Sequence, residues 1–169
     1  MLVSSAWRAI SSRDDPNLQP KGDAVPTSGD ETIRQFFEKF EHSNATGNAD
    51  AVAGMFAPTF MSASADGTIV VKSTDLLAAI PRRKQVLQQI GWQSTALVAL
   101  QETRMDDDYS MVKIEWRWRF ARQGEPVHDI TLPSTFIVHR WNDREPEIVF
   151  YLTGDIMGVL RQRGLLAPS

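Results

Sequence analysis

The sequence predicts an α+β domain in which a strongly curved antiparallel sheet wraps around N-terminal helices to form a cone. Three observations predict this fold class. An apolar stripe with helical spacing comes early, at residues 32–41. After residue 94 the apolar residues change from a helical period to a period of two, and residues 112–120 alternate apolar and charged side chains without a break.

The most informative stretch is residues 112–120, V-K-I-E-W-R-W-R-F. Successive side chains on a strand point to opposite faces, so this strand has one apolar face and one charged face. Trp116 and Trp118 lie on the apolar face and need a large apolar partner, which we expect to be the phenylalanine-rich first helix. Arg117 and Arg119 are expected on the opposite face.

Composition narrows the class of protein. The chain has 169 residues, no cysteine and a formal net charge of -3. The absence of cysteine excludes a disulfide framework, a thiolate zinc site and a cysteine nucleophile, and it fits a reducing cytoplasm. No basic cluster favours nucleic acid, no segment is apolar enough for a membrane span, and the N-terminus lacks the pattern of a secretory signal. We therefore expect a cytoplasmic protein that binds neither nucleic acid nor membrane.

The domain is predicted to begin at residue 28. Residues 1–27 have few apolar side chains and are expected to form a flexible or partner-docked tail, whereas residues 28–169 form one domain. Ser28 and Glu31 have the spacing of a capping box. The helix that follows ends near Gly47 and carries one apolar stripe, formed by Ile33, Phe36, Phe37 and Phe40.

Two further helices and a hairpin are predicted before the main strands. Asn48 caps a short second helix that includes residues 52–56 and stops at Pro58. Asp66-Gly67 is a tight-turn signal between two short strands. A third helix opens at residue 73 or 74 and ends at Gly91, and Pro81 inside it predicts a kink or two abutting helices.

The second half of the chain reads as strands. They are predicted at 95–102, 109–122, 127–141 and 147–153, with a short helix or turn at 155–166. Pro133 cannot donate to a strand ladder, so it needs a bulge or an edge position, and a bulge would reset which side chains face inward beyond it.

The order of elements resembles the nuclear transport factor 2-like (NTF2-like) superfamily, with its cystatin-like roll, and within it the SnoaL-like polyketide-cyclase group. Three stretches carry the resemblance: I-R-Q-F-F-E-K-F through A-D-A-V-A-G-M-F-A-P, then E-I-V-F-Y-L-T-G-D, and D-I-M-G-V-L-R-Q-R-G-L-L-A-P. It implies a cone whose open end is an apolar pocket, commonly in homodimers. Its members include cyclases, isomerases, epoxide hydrolases and adaptor modules.

A pocket of that kind predicts a set of ligand-binding residues. For the tryptophans the alternative is that both are simply core. For Ser134 it is a hydroxyl that satisfies local backbone, and for Tyr151 it is an amphipathic edge position. The predicted ligand-binding residues are Trp116, Trp118, Ser134, Tyr151 and Phe37.

Two residues are candidates for acid–base catalysis. His128 shares the apolar parity of its strand and has a side chain that titrates near neutral pH. Asp155 follows the last strand, where the resemblance puts the mouth of the cone, and an apolar rim would raise its pKa. The alternatives are a strand-end histidine in contact with solvent and an N-cap of the last helix.

Other chemistries are not predicted. The three histidines lack the spacing of a metal cluster, and no phosphate-cradling loop or nucleophile elbow is present, so we expect neither metal nor cofactor. The resemblance would require an Asp-Arg-Asp arrangement inside the cone for an epoxide hydrolase, and the outward parity of Arg117 and Arg119 argues against it.

The last strand is apolar on both faces, which indicates cover on both faces. We therefore expect a homodimer through the convex side of the sheet, with Val149 or Tyr151 near the contact. The alternative is a monomer whose tail folds back over that face. Two functional hypotheses remain open. One is a protein that binds a small hydrophobic molecule in the cone, with or without acid–base isomerase, cyclase or hydrolase chemistry, and the other is a non-catalytic dimeric binding or protein-interaction module.

Overall fold

A computed structural model describes residues 28–124, 126–141 and 144–166 of the chain, with the side chains of 28–31 left out. The predicted tail and capping box therefore lie outside the described residues. A 3-10 turn at Ser73–Asp75 precedes the third helix. The helices are α1 Ser28–Thr46, α2 Ala49–Ala53, α3 Leu76–Gln89 and α4 Ile156–Gln162, and the strands are β1 Phe56–Ser64, β2 Gly67–Lys72, β3 Trp92–Arg104, β4 Tyr109–Phe120, β5 His128–His139 and β6 Glu147–Thr153.

The six strands form one curved, unclosed sheet in the order β2-β1-β6-β5-β4-β3. The predicted α+β cone is thus confirmed. The strands are not all antiparallel, however, because β1 pairs with β6 in parallel. The hairpin β1–β2 comes before α3 in the chain, whereas β6 is the last strand. The parallel strands β1 and β6 are therefore connected through all the elements between them rather than by a turn.

The two faces of β4 separate as the alternation predicts. Val112 and Phe120 are fully buried, and Trp116 and Trp118 are only 6% and 7% exposed. The four charged residues between them, Lys113, Glu115, Arg117 and Arg119, are exposed. The indole face of β4 therefore belongs to the core.

Helix α1 fills the hollow of the sheet. Phe37 is fully buried, and its ring centroid lies 4.8 Å from that of Phe136 on β5. One turn later, the ring of Phe40 lies 6.2 Å from Trp116 on β4. These contacts confirm that the phenylalanine stripe covers the apolar face of the sheet.

The second helix is shorter than predicted. Asn48 caps it, accepting a hydrogen bond from the backbone N–H of Ala51, but the helix ends at Ala53. Pro58 lies inside β1, in the stretch where the register between β1 and β6 shifts. Because the ladder is interrupted there, the missing N–H of proline is tolerated, and Pro58 is a strand residue rather than a helix stop.

The third helix is one element. Helix α3 runs through Pro81 instead of dividing there, and Gly91 (φ 89°) follows its end as predicted. Pro81 falls in the second turn, so only the backbone bond to the carbonyl of Leu77 is lost.

Pro133 occupies a local edge. The ladder between β4 and β5 runs through Glu115↔Pro133 without a shift, whereas the ladder between β5 and β6 begins only at Ser134↔Thr153. No bulge is needed at this position, and the inward parity is not reset. Alternate residues stay buried from one side of the proline to the other: Ile130, Leu132, Ser134, Phe136 and Val138.

Candidate functional site

A cavity of about 190 Å³ lies between the concave face of the sheet and the helices α1 and α3. For comparison, an engineered apolar cavity of about 150 Å³ holds benzene. The space therefore fits one ring and a few further atoms. Most of its wall is apolar, formed by Phe40, Val52, Phe56, Phe60, Val71, Leu76, Ile80, Leu87, Trp92, Trp116, Trp118, Leu132 and Ile156.

The indole of Trp118 carries an unpaired donor. Its Nε1 is shielded from solvent and has no hydrogen-bond partner among the described residues. By contrast, Nε1 of Trp92, another wall residue, donates to Oγ1 of Thr95 at 3.1 Å. A buried donor without a partner costs about 1–3 kcal/mol. A small adjustment that brings a ligand acceptor to Trp118 would remove that cost.

Ser134 and Tyr151 also line the cavity. Ser134 is 6% exposed and lies on the inward side of β5. Tyr151 is half-buried on β6, with its ring stacked on Phe136 at 4.8 Å. Both hydroxyl side chains and both predicted tryptophans, Trp116 and Trp118, thus share one wall.

Phe37 and His128 lie elsewhere. Phe37 is packed among aromatic rings of the core, and the cavity begins one turn further along α1, at Phe40. His128 is the first residue of β5, paired with Phe120, and is half-buried away from the cavity wall. The sequence stripe on α1 was sufficient to find both phenylalanines but did not indicate which of them borders empty space.

Asp155 caps the last helix. Its Oδ1 accepts a hydrogen bond of 2.8 Å from the backbone N–H of Gly158, the geometry of an N-cap. A Cβ at position 158 would lie 2.0 Å from the other carboxylate oxygen, so glycine leaves room for the cap. Asp155 is exposed and borders an outer cleft rather than the cavity.

The outer cleft lies between the β1–β2 hairpin, α3 and α4. It meets the cavity at a mouth, which we define by the four residues that line both spaces: Arg83, Leu87, Trp118 and Ile156.

Charged residues enter the cavity wall at three positions that the sequence did not indicate. Glu41 comes from α1, and Arg83 and Lys84 come from α3. Burial raises the pKa of Glu41, neighbouring His42 opposes the shift, and Glu38 adds to it. The apolar spacing of α3 could have indicated its inward face, but nothing in the sequence singled out these charges.

The described residues contain neither a cluster of metal-ligating side chains nor a helix that could span a membrane. No group of three histidine, cysteine, aspartate or glutamate side chains could hold a metal ion in this part of the chain. Within the same residues, none of the helices has the length and apolar character needed to cross a membrane.

Solved structures share this architecture at low sequence identity. An NTF2-like protein with a cystatin-like fold from Novosphingobium aromaticivorans is 16% identical, with a TM-score of 0.62 over 82% of this chain and 88% of its own. An NTF2-like protein of unknown function from Shewanella oneidensis is 19% identical, with a TM-score of 0.56 over 74% and 98%. A ketosteroid isomerase-like protein from Erwinia carotovora atroseptica is 10% identical, with a TM-score of 0.58 over 75% and 95%. No family model and no curated protein matches the sequence.

Proposed function

The chain has the cystatin-like roll of the NTF2-like proteins, and on that fold we propose that it binds a small apolar ligand in the cavity between α1, α3 and the sheet. The observation that carries the proposal is the buried, unpaired N–H of Trp118 in a wall that is otherwise mostly apolar. Small-molecule pockets combine apolar walls with a few polar groups that orient the ligand. A neighbour of the same fold is described as ketosteroid isomerase-like, which supports a ligand with a polar acceptor.

The wall residues have distinct roles in ligand binding. Trp116 and Trp118 enclose the apolar part of the ligand, and the N–H of Trp118 meets its acceptor. Ser134 and Tyr151 offer further hydroxyl groups on the same wall. Phe37 acts from behind Phe40 by holding the helix against the sheet. Grouping with the SnoaL-like proteins in particular stays a prediction.

Acid–base catalysis needs a titratable group that reaches the ligand. Asp155 borders the cleft as a helix cap, and His128 lines neither space, so neither reaches a ligand confined to the cavity. Of the described wall residues, Glu41 is the carboxyl that does, and burial raises its pKa. An isomerase, cyclase or hydrolase reaction in the cavity would therefore use Glu41. Such a reaction should be lost in Glu41→Gln and kept in Asp155→Asn.

Thermal shift with small aromatic ketones tests ligand binding. A ligand at about a hundred times its Kd stabilises the folded state by about 2.7 kcal/mol, which is readily seen as a rise in Tm. We expect Trp118→Phe to reduce the shift and Trp141→Phe, a change outside the cavity wall, to leave it intact. Absence of any shift across the panel, or an equal loss in both variants, would contradict the proposal.

A dimeric binding module is the second candidate function, and the convex face of the sheet favours it. One row of apolar side chains crosses five strands in register, from β2 to β4. On the paired positions given by the ladders, this outer row is Val70, Met61, Phe150, Ile137 and Met111. Val70 and Met61 are 71% and 46% exposed, so this part of the row is open to a partner.

We propose that the outer row is the contact of a homodimer. Tyr151 is not part of it, because its side chain lines the cavity on the opposite face, and Phe150 takes that place. Light scattering should give the mass of a dimer for the wild type and of a monomer for Ile137→Lys. Arg117→Glu, on the charged half of the same face, serves as the control. A monomeric wild type would leave the outer row without this role.

A further inference from the structure

Two cations of α3, Arg83 and Lys84, are hydrogen-bonded to the C-terminal end of α1. Nη2 of Arg83 donates to Oδ1 of Asn44 at 3.0 Å, and Nζ of Lys84 donates to the carbonyl of Thr46 at 2.8 Å. Both acceptors are neutral. Within the described residues, neither cation has a carboxylate within 4.0 Å. The cavity wall therefore carries positive charge that no carboxylate of the described residues pairs with.

The two cations differ in what already holds them. Thr46 is the last residue of α1, so Lys84 lies at a helix C-terminus, where a positive charge is favoured by the helix dipole. Among the described residues, the partner of Arg83 is a neutral side-chain amide, and a charged acceptor binds a guanidinium more strongly than a neutral one does. Arg83 also belongs to the mouth, so it can meet an incoming ligand first.

The one carboxyl among the described wall residues does not cancel this charge. Glu41 forms no ion pair with Arg83 or Lys84. Burial is the main cause that raises its pKa, so the wall disfavours its charged form. The cavity thus combines a mostly apolar interior with a cationic rim.

We infer that the ligand is a small amphipathic carboxylate, with a ring-sized apolar part in the cavity and its carboxylate on Arg83. Lys84 adds a second positive charge beside it. A carboxylate accepts two parallel N–H bonds from a guanidinium, which lysine cannot provide, so Arg83 orients the ligand as well as attracting it. This inference rests on the proposed ligand binding in the cavity and names the class of molecule that the cavity selects.

Three probes with nearly the same apolar part separate charge preference from binding itself. Calorimetric titration would compare phenylacetate, phenethyl alcohol and phenethylamine. We expect phenylacetate to bind about five to ten times more tightly than the alcohol, as a charge-assisted pair at a partly exposed rim allows, and the amine to bind most weakly. In Arg83→Gln, phenylacetate should lose most of its advantage over the alcohol, because Lys84 alone remains near the carboxylate, while the affinity of the alcohol itself is unaffected.

Two variants keep the result interpretable. Arg82→Gln removes the neighbouring positive charge, which borders the outer cleft and not the cavity, and should leave the preference intact. Arg83→Lys keeps the positive charge but cannot donate two parallel N–H bonds, so it should retain part of the preference for the carboxylate. Equal binding of acid and alcohol by the wild type, or equal losses in Arg82→Gln and Arg83→Gln, would overturn the anion preference while leaving the cavity as a binding site. No binding of any probe would remove the proposed function and this inference together.

Discussion

The concave face of the sheet has two ends that are built differently. At the filled end, Phe37 from α1 and Phe136 from β5 are both fully buried with their rings in contact. At the open end, Trp116 and Trp118 border a cavity of about 190 Å³. Helix α1 and strand β4 contribute to both ends: Phe37 and Val112 are fully buried, whereas Phe40 and Trp116 line the cavity. The hydrophobic pattern of a strand therefore fixes which face is buried but not where along that face the packing stops.

Polar groups are also treated differently at the two ends. At the filled end, the side chain of Glu102 is 5% exposed, and its Oε1 pairs with Arg140 and accepts a 2.6 Å hydrogen bond from the hydroxyl of Ser110. Its Oε2 has no hydrogen-bond partner among the described residues. At the open end, the indole N–H of Trp118 has no hydrogen-bond partner in the part of the chain that the structure describes. An ion pair and a hydroxyl stabilise one end from within, whereas the other end has a buried donor without a partner among the described residues.

This difference predicts that stability and ligand binding can be changed separately. Substitutions at the filled end should lower the free energy of unfolding. Substitutions at the open end should change ligand affinity more than stability.

The largest expected effect is that of Phe37→Ala. Removing a fully buried phenylalanine side chain costs about 3–5 kcal/mol, since the surrounding rings cannot close the cavity that remains. Urea denaturation measures this loss. Phe37→Leu, which keeps most of the volume, should cost much less, and similar small losses for both variants would show that the filled end is loosely packed.

Arg140→Met should cause the second largest loss of unfolding free energy. It leaves the buried carboxylate of Glu102 without its cation, and breaking a buried pair in this way costs about 3 kcal/mol or more. The double variant Glu102→Leu with Arg140→Met should recover most of the loss, because the uncompensated charge is gone. Chemical denaturation of both variants gives the comparison. A double variant as unstable as the single one would show that the ion pair itself is needed.

The filled end was largely predictable from the sequence. The unbroken alternation of residues 112–120 identified the buried face, and the helical spacing from Ile33 to Phe40 identified the helix that covers it. Both signals are local, because side-chain direction repeats with a fixed period in each element. The pairing of β1 with β6 was not predictable in this way, since it joins segments separated by about half of the chain.

The open end was less predictable for the same physical reason. Trp116 and Trp118 were found because their face is fixed by parity. Arg83 and Lys84 were missed because their position depends on how α3 crosses α1, which no periodicity records. Asp155 shows the reverse case, in which a local rule for helix caps explained a residue better than an expected place at the mouth of the cone.

Trp118→Phe should have a small effect on stability. It removes an unpaired buried donor, which favours the folded state, and part of a large ring, which disfavours it, and the two terms are each of the order of 1–3 kcal/mol. We expect the free energy of unfolding to change by less than about 1 kcal/mol, while affinity for acceptor-bearing ligands falls. A loss of unfolding free energy as large as that of Phe37→Ala would show that Trp118 is packed as tightly as the residues of the filled end.

The smallest expected effect concerns the pH dependence of Glu41. Burial raises the pKa of this carboxyl above its value in the unfolded chain, so the folded state binds its proton more tightly. The stabilisation is therefore complete below the unfolded pKa and is lost as the pH rises through the folded pKa. Glu41→Gln should remove this part of the pH dependence. The wild type then loses stability between acidic and neutral pH and the variant does not, so the variant becomes relatively more stable as the pH rises. Denaturation curves at a series of pH values measure the difference in unfolding free energy between variant and wild type. A carboxylate ligand bound at Arg83 should enlarge this difference, because the ligand adds a second negative charge to a wall that already disfavours the charge of Glu41. A difference that is constant with pH would show that the carboxyl of Glu41 is solvated, and that the open end begins further out than its wall residues indicate.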